Sequence, residues 1–181
     1  KACNMAFAQG NSEFVLLLNP DVVWHMDTLV HMAATMAVQP YMGAMGPQQL
    51  GHQQAVVRSC ARFPNLFTAT LDTIGLSKLW PKLFLPAPIM TDWDHLSSRY
   101  VDHVMGSFML LRREAIGLQP LFDERFFLYH EDLDLSKRLH DAGFRSYFDA
   151  GVQVSHAGGG TSNQIRARRL FYSLQSRQQY W

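Results

Sequence analysis

Four short stretches of the chain carry residue types that can do chemistry. His130-Glu131-Asp132-Leu133-Asp134 sets three carboxylates within four residues, directly after the apolar run Phe126-Phe127-Leu128. Two carboxylates held close together raise the pKa of one of them, which prepares a group for taking or giving a proton. Acids are also favoured in the first turn of a helix by its dipole, so a purely structural reading stands beside the catalytic one. Asn19-Pro20-Asp21 follows the buried-looking run Phe14–Leu18. A carboxylate at that rim suits a hard divalent cation, although Asn-Pro-Asp is also an ordinary turn. Val154-Ser155-His156 ends another apolar stretch and is followed by Gly158-Gly159-Gly160. Imidazole is a fair ligand for Mn²⁺ and a poorer one for Mg²⁺, and glycines let a ligand come close. A surface His before a loop is the alternative. Gly106-Ser107 interrupts the apolar segment that runs on to Arg112 and Arg113. A Gly inside a strand marks a bulge, a close approach of a ligand, or a simple bend.

The elements that must position these groups alternate. Helix is predicted over 2–9, 26–38, from Arg113, from the acidic run to Ala142 with Gly143 just past its end, and over 164–181. Strand is predicted over 14–18, 43–47, 55–58, 101–111 and 144–154, with an irregular stretch at 64–95. Such alternation predicts an α/β sandwich around a mostly parallel sheet, in which ligands bind where the strands' carboxyl ends meet the loops. Asp21, Asp132 and His156 all fall at such ends.

Bulk properties narrow the options. With 181 residues, 48% hydrophobic and 17% charged, the chain is long and apolar enough for one cored domain. Sixteen basic and fifteen acidic side chains give a formal charge of +1, so nucleic acid is not an expected partner. The two cysteines, Cys3 and Cys60, form no disulfide framework, which fits a reducing cytoplasm. No apolar run reaches the ~18–20 residues of a membrane-spanning helix. Lys1 to Ala8 read as a helix already under way, which implies a chain cut from something longer.

In this order and spacing, the pieces resemble the family 2 glycosyltransferases of the GT-A fold, and within them the rhamnosyltransferase-like branch that builds bacterial surface polysaccharides. The resemblance is carried by Asn4, the Phe14–Asp21 strand and turn, the Gly106–Arg113 strand, the run from Phe122-Asp123-Glu124 to Glu131-Asp132-Leu133-Asp134-Leu135, Arg138, Ala142-Gly143, and Val154 to Ser162. It implies a GT-A nucleotide-diphospho-sugar transferase sandwich lacking its first βαβ segment. Residues 1–163 would be the C-terminal two-thirds of the catalytic domain and 164–181 a basic aromatic helix. The implied reaction is an inverting transfer from a nucleotide-diphosphate donor, dTDP- or UDP-linked and rhamnose at a guess, to a hydroxyl of a saccharide or lipid-linked acceptor. Asp132 matches the catalytic base, with Glu131 beside it to orient the acceptor or tune that base. Asp21 and His156 match metal ligands for Mn²⁺ or Mg²⁺, although Asn19 departs from the family's first acid and leaves fewer ligands. Gly106 and Ser107 would line the sugar pocket, and Asn4, Arg112 and Asp134 complete the expected substrate contacts.

The absent segment binds the nucleotide base and ribose in this fold, so weak donor binding and self-association through uncovered sheet surface are expected. Leu79–Pro86, and the last helix with Arg166, Arg168, Arg169 and Arg177 among Phe171, Tyr172, Tyr180 and Trp181, suit a membrane headgroup surface at the inner face of the cell membrane. The same arginines could instead hold a diphosphate, or a packed helix could simply expose them. Two other classes stay open: a non-catalytic sugar- or nucleotide-binding module or inactive fragment, and a phosphohydrolase using Asp21, Asp132 and His156.

Overall fold

A computed structural model describes residues 1–64, 89–156 and 166–180, the side chains of 166–170 excepted. In chain order the helices are α1 (Ala2–Gln9), α2 (Met26–Ala37), α3 (Arg113–Ile116), α4 (Glu131–Asp141) and α5 (Arg166–Tyr180). The strands are β1 (Phe14–Leu18), β2 (Val22–Val23), β3 (Met42–Leu50), β4 (Val56–Val57), β5 (Cys60–Ala61), β6 (Arg99–Val101), β7 (His103–Val104), β8 (Phe108–Arg112) and β9 (Arg145–His156). A seven-stranded sheet has the path β1-β8-β3-β9-β2, with β4 paired to β3 and β6 to β9, and β5 pairs with β7 beside it.

The α/β class holds, but the mostly parallel sheet does not. Among the described pairs only β3–β9 is parallel. The chain crosses from β1 through α2 to β3, so these two strands run the same way and are one strand-width apart. The gap is filled by β8, which is antiparallel to both. Hydrophobic periodicity reports where a strand lies and says nothing of its direction.

Strand alternation divides the core in two. Val15, Leu17, Ala44, Met109, Leu111 and Phe148 face Leu135 and Leu139 of α4. Phe14, Leu16, Met45, Phe108, Leu110 and Val154 face Met32 and Met36 of α2. Helices cover both faces, so β1 and β8 read as unbroken apolar runs. Burial of each such side chain contributes about 1.5–3 kcal/mol. Helix α4 ends as its sequence predicts: Gly143 takes φ +89°, and the Gly143 and Phe144 amides donate to the His140 and Leu139 carbonyls. In β9 the register against β3 slips between Pro47 and Gln48, after which Val154 and Ser155 lie beside Gln49 and Leu50. That slip delivers His156 to the end of β3.

Arg112, expected among the substrate contacts, is a structural residue. It is the last residue of β8 and only 6% exposed. Its Nε donates to the Met42 carbonyl at 3.1 Å, and its Nη2 donates to Gln39 at 3.1 Å and to Met36. It thereby adds a charged donor to carbonyls at and beyond the C-terminus of α2, where Met36 and Gln39 also accept the Gln39 and Met42 amides. Arg112→Met removes that donor and should cost roughly 1.5–3 kcal/mol, seen as a fall of roughly 3–12 °C in thermal midpoint. Any effect on the KM for donor should be small.

Candidate active site

The acidic pair is presented by a strained turn. Tyr129 and His130 both hold positive φ, 68° and 69°, and His130 is the residue before α4. Such conformations in non-glycine residues cost on the order of 1–3 kcal/mol each and persist where the surroundings enforce them. Here the surroundings include α5. Ser176 Oγ donates to the Leu128 carbonyl at 2.7 Å, and Tyr172 packs on Phe127 with ring centroids 4.5 Å apart. The Tyr180 ring lies 6.2 Å from that of His130, and burial pushes the Tyr180 phenol up to about 12.

Asp132 is held on three sides. Oδ2 accepts the Gly106 N–H at 3.0 Å, and Oδ1 accepts the Leu133 N–H at 2.9 Å. His103 Nε2 stands 3.7 Å from Oδ2. Gly106 can come this near because it has no side chain: a Cβ there would sit 3.1 Å from both Cβ and Oδ2 of Asp132. The sequence reading expected a ligand to come close at Gly106; among the described residues the group that comes close is Asp132.

Glu131 is largely buried, and burial raises its carboxyl above the usual carboxylate range, with the charge of Asp132 adding a smaller push. Among the described residues its Oε2 has no hydrogen-bond partner, and neither does His130 Nδ1. The folded state therefore binds the Glu131 proton more tightly than the unfolded chain does. Between the ordinary glutamate pKa and the raised one, stability falls as pH rises. Glu131→Gln should raise the thermal midpoint at pH 7–8, and the gain should vanish near pH 4, where Glu131 is protonated in both states.

A second cluster adjoins the first. His156 Nε2 lies 3.5 Å from Asp21 Oδ1, the two brought together by the pairing of β2 with β9. His156 Nδ1 lies 3.0 Å from Oε1 of Gln49, which is 1% exposed. With a cation held between Nε2 and Asp21, Nδ1–H would donate to that oxygen, the tautomer a metal-binding imidazole needs. Gln49 also exchanges hydrogen bonds with the Ser107 hydroxyl at 2.8 and 3.0 Å. The dipeptide Gly106-Ser107 thus joins the clusters, one residue bonded to Asp132 and the next to the support of His156. Among the described residues no group of three or more His, Cys, Asp or Glu could hold a metal ion. One carboxylate and one imidazole nonetheless fit a Mn²⁺-like cation that takes its remaining ligands from substrate oxygens and water.

Two further expected substrate contacts lie elsewhere. Asn4 clamps the Phe122 backbone, its Nδ2 donating to the carbonyl and its Oδ1 accepting the amide, both at 2.8 Å. It thereby docks α1 and lines a cleft of about 440 Å³ with Gln119, Phe122, Glu124 and Arg138, which neither Asp132 nor His156 reaches. Asp134 sits two residues after Asp132, off its face of the helix. It accepts from Arg138 Nε at 2.9 Å, and Arg138 in turn donates to the Pro120 and Leu121 carbonyls at 3.1 and 2.7 Å. Both spend these hydrogen bonds within the chain. Gln49 and His103 were missed: Gln49 follows Gln48 near the end of β3, and His103 opens the two-residue β7 after Asp102. Their legible signals were the Gln48-Gln49 pair ending β3, and Ser136 one turn after Asp132. Residues 157–165, Leu79–Pro86, the side chains of Arg166, Arg168 and Arg169, and Trp181 lie outside the described residues.

Residues 1–173 match the family described as "Glycosyltransferase like family 2". The chain is 31% identical over 144 residues to the N-acetylglucosaminyl-diphospho-decaprenol L-rhamnosyltransferase of Mycobacterium tuberculosis, covering 80% of this chain and 47% of that protein. It is 26% identical over 155 residues to the rhamnosyltransferase WbbL of Escherichia coli, covering 83% and 54%. The chain thus spans about half the length of these curated relatives. A mannosyltransferase from Pyrobaculum calidifontis, solved in complex with GDP-Man and Mn²⁺, superposes with a TM-score of 0.55 at 18% identity, covering 97% of this chain and 41% of that one. At that identity the likeness is one of fold, and that fold is GT-A.

Proposed function

Because the chain belongs to glycosyltransferase family 2, we propose that it forms the catalytic centre of an inverting sugar transferase in which Asp132 is the base. The acceptor is a hydroxyl of a saccharide, most simply a lipid-linked one as in the name of the mycobacterial relative, and rhamnose is the first sugar to try. Asp132 takes the hydroxyl proton as the oxygen attacks the anomeric carbon from the face opposite the nucleoside diphosphate. The bond to the diphosphate breaks in the same step, so no covalent sugar–enzyme intermediate forms. The Gly106 and Leu133 amides hold the carboxylate before substrate arrives, which removes a reorganisation cost from the barrier. Glu131, whose carboxyl is raised above the usual carboxylate range by burial, would bond the acceptor. Asp21 and His156 would hold the divalent cation, with Gln49 fixing the imidazole. When bound, such a cation neutralises charge on the departing diphosphate.

The observation that carries this reading is the Gly106-Ser107 bridge, which sets a proton acceptor beside an oxygen-and-nitrogen cation pair within one hydrogen-bonded unit. Membrane contact is part of the proposal: α5 exposes Phe171 and Leu174, and its sequence carries four arginines and no acid. A headgroup-facing role would place the reaction at the cytoplasmic membrane surface.

Calorimetric titration of dTDP and UDP, with and without Mn²⁺, tests the cation pair. Mn²⁺ should strengthen binding of one nucleotide, and His156→Ala should weaken the Mn²⁺-dependent binding by roughly tenfold or more, the scale of a lost ligand. Binding that is the same with and without Mn²⁺ in both proteins would remove Asp21 and His156 from the reading.

A further inference from the structure

We propose that His103 is a positioning residue for Asp132, presenting an Nε2–H to the carboxylate and fixing which of its oxygens takes the acceptor proton. The proposal rests on the reading of Asp132 as the base.

His103 opens β7, which pairs with β5 and tucks the imidazole beneath α4. It is 5% exposed. Its Nδ1 lies 2.8 Å from Ser136 Oγ, and its Nε2 lies 3.7 Å from Asp132 Oδ2. Asp132 and Ser136 are four residues apart and share a face of α4, so one ring spans both. The tautomer follows from charge. An Nε2 lone pair facing an anionic oxygen would be repelled, whereas an Nε2–H is attracted. The Ser136 hydroxyl then donates to Nδ1. The titratable groups whose charge His103 feels are Asp132 across the gap and Asp102 beside it, and a charge on His103 would in turn lower His130. Burial outweighs the two carboxylates and keeps the imidazole neutral.

The 3.7 Å separation is long for a hydrogen bond, as such contacts are before substrate closes the site. Its direction still matters. Among the described residues Oδ2 faces two donors, the Gly106 N–H and His103 Nε2–H, while Oδ1 takes the Leu133 N–H alone. Oδ1 is therefore the more basic oxygen and the one left to receive the proton. The acceptor's O–H bond breaks, the proton passes to Oδ1, and the electron pair left on the acceptor oxygen forms the glycosidic bond.

Two measurements test this. Long-range ¹H–¹⁵N NMR of the histidine rings should show His103 neutral and protonated on Nε2 between pH 6 and 8. A neutral ring protonated on Nδ1, or an imidazolium, would overturn the proposal whatever the enzyme does. The second measurement is kinetic, with dTDP-rhamnose and a synthetic N-acetylglucosaminyl diphospho-prenol. His103→Phe should lower kcat by roughly 30–100-fold with the donor KM within about twofold, the signature of an interaction lost in the transition state. It should also move the acid limb of the kcat–pH profile upward by about one unit, because a carboxylate that loses a donor becomes more basic. His103→Gln, which keeps an N–H in reach, should recover activity to within about fivefold of wild type. Should His103→Phe fail to fold, Ser136→Ala is expected to fold and to lower kcat by about fivefold as the ring loses its Nδ1 anchor. Wild-type kcat and pH limb in the folded variants, with Asp132→Asn inactive, would overturn the proposal alone. An active Asp132→Asn would instead overturn the reading of Asp132 as the base.

Discussion

Asp132→Asn should lower kcat by roughly 10²–10⁴-fold, the range a positioned general base supplies. The substitution is nearly isosteric. The amide oxygen can still accept the Gly106 N–H that Oδ2 accepts at 3.0 Å, so the turn into α4 and the approach of Gly106 should survive. Basicity is lost, together with the Leu133 N–H bond that Oδ1 accepts and an amide –NH2 cannot. The donor KM should change little, because the donor's diphosphate faces Asp21 and His156 in this account and not Asp132. Initial rates across donor concentration, with the thermal midpoint as a control for folding, separate these effects. A variant that folds and retains more than about a tenth of wild-type kcat would remove Asp132 from the base position.

Gly106→Ala should be nearly as damaging by a different route. The new methyl would sit 3.1 Å from both Cβ and Oδ2 of Asp132, closer than ordinary contact. The carboxylate must give way. A displacement on the order of 1 Å at a reacting group costs about 10²-fold in rate. The loss should fall on kcat, with the thermal midpoint changed by only a few degrees, since the Asp132 side chain borders solvent and can move. Gly46→Ala makes the contrast. Its methyl would lie 2.9 Å from Val104 Cβ inside the core, so that variant should lose stability first and activity only as a consequence. Equal activity in Gly106→Ala and wild type would mean that the 3.0 Å bond to the Gly106 amide positions nothing that matters for turnover.

The sequence made the local elements legible because both faces of the sheet are covered. Apolar runs at Phe14–Leu18 and Phe108–Arg112 and the helical periodicity of Met26–Ala37 follow directly from that burial. Strand direction did not follow, because whether β8 runs with or against β1 depends on a connection most of 90 residues long and leaves no local trace. The same division holds at the site. Asp21, Asp132 and His156 were legible because each ends or follows an apolar element, where a carboxylate or imidazole has no reason to be unless it lies at the rim. Arg112, Asn4 and Asp134, expected to meet substrate, have partners that the sequence did not announce: the C-terminus of α2, the Phe122 backbone and Arg138. A polar residue's partner is a long-range fact. His103 and Gln49 show the converse, since the groups that hold Asp132 and His156 come from strands 29 and 107 positions away in the chain.

The central claim is a single direct displacement at the anomeric carbon with Asp132 as base, and its most direct test is the stereochemistry of the product. The purified protein would be given dTDP-rhamnose, the N-acetylglucosaminyl diphospho-prenol acceptor and Mn²⁺, and the new glycosidic linkage read by ¹H NMR. The account predicts one linkage formed for each dTDP released, with anomeric configuration opposite to that of the donor. A product with the donor's configuration retained, or release of dTDP with water as the only acceptor, would contradict it.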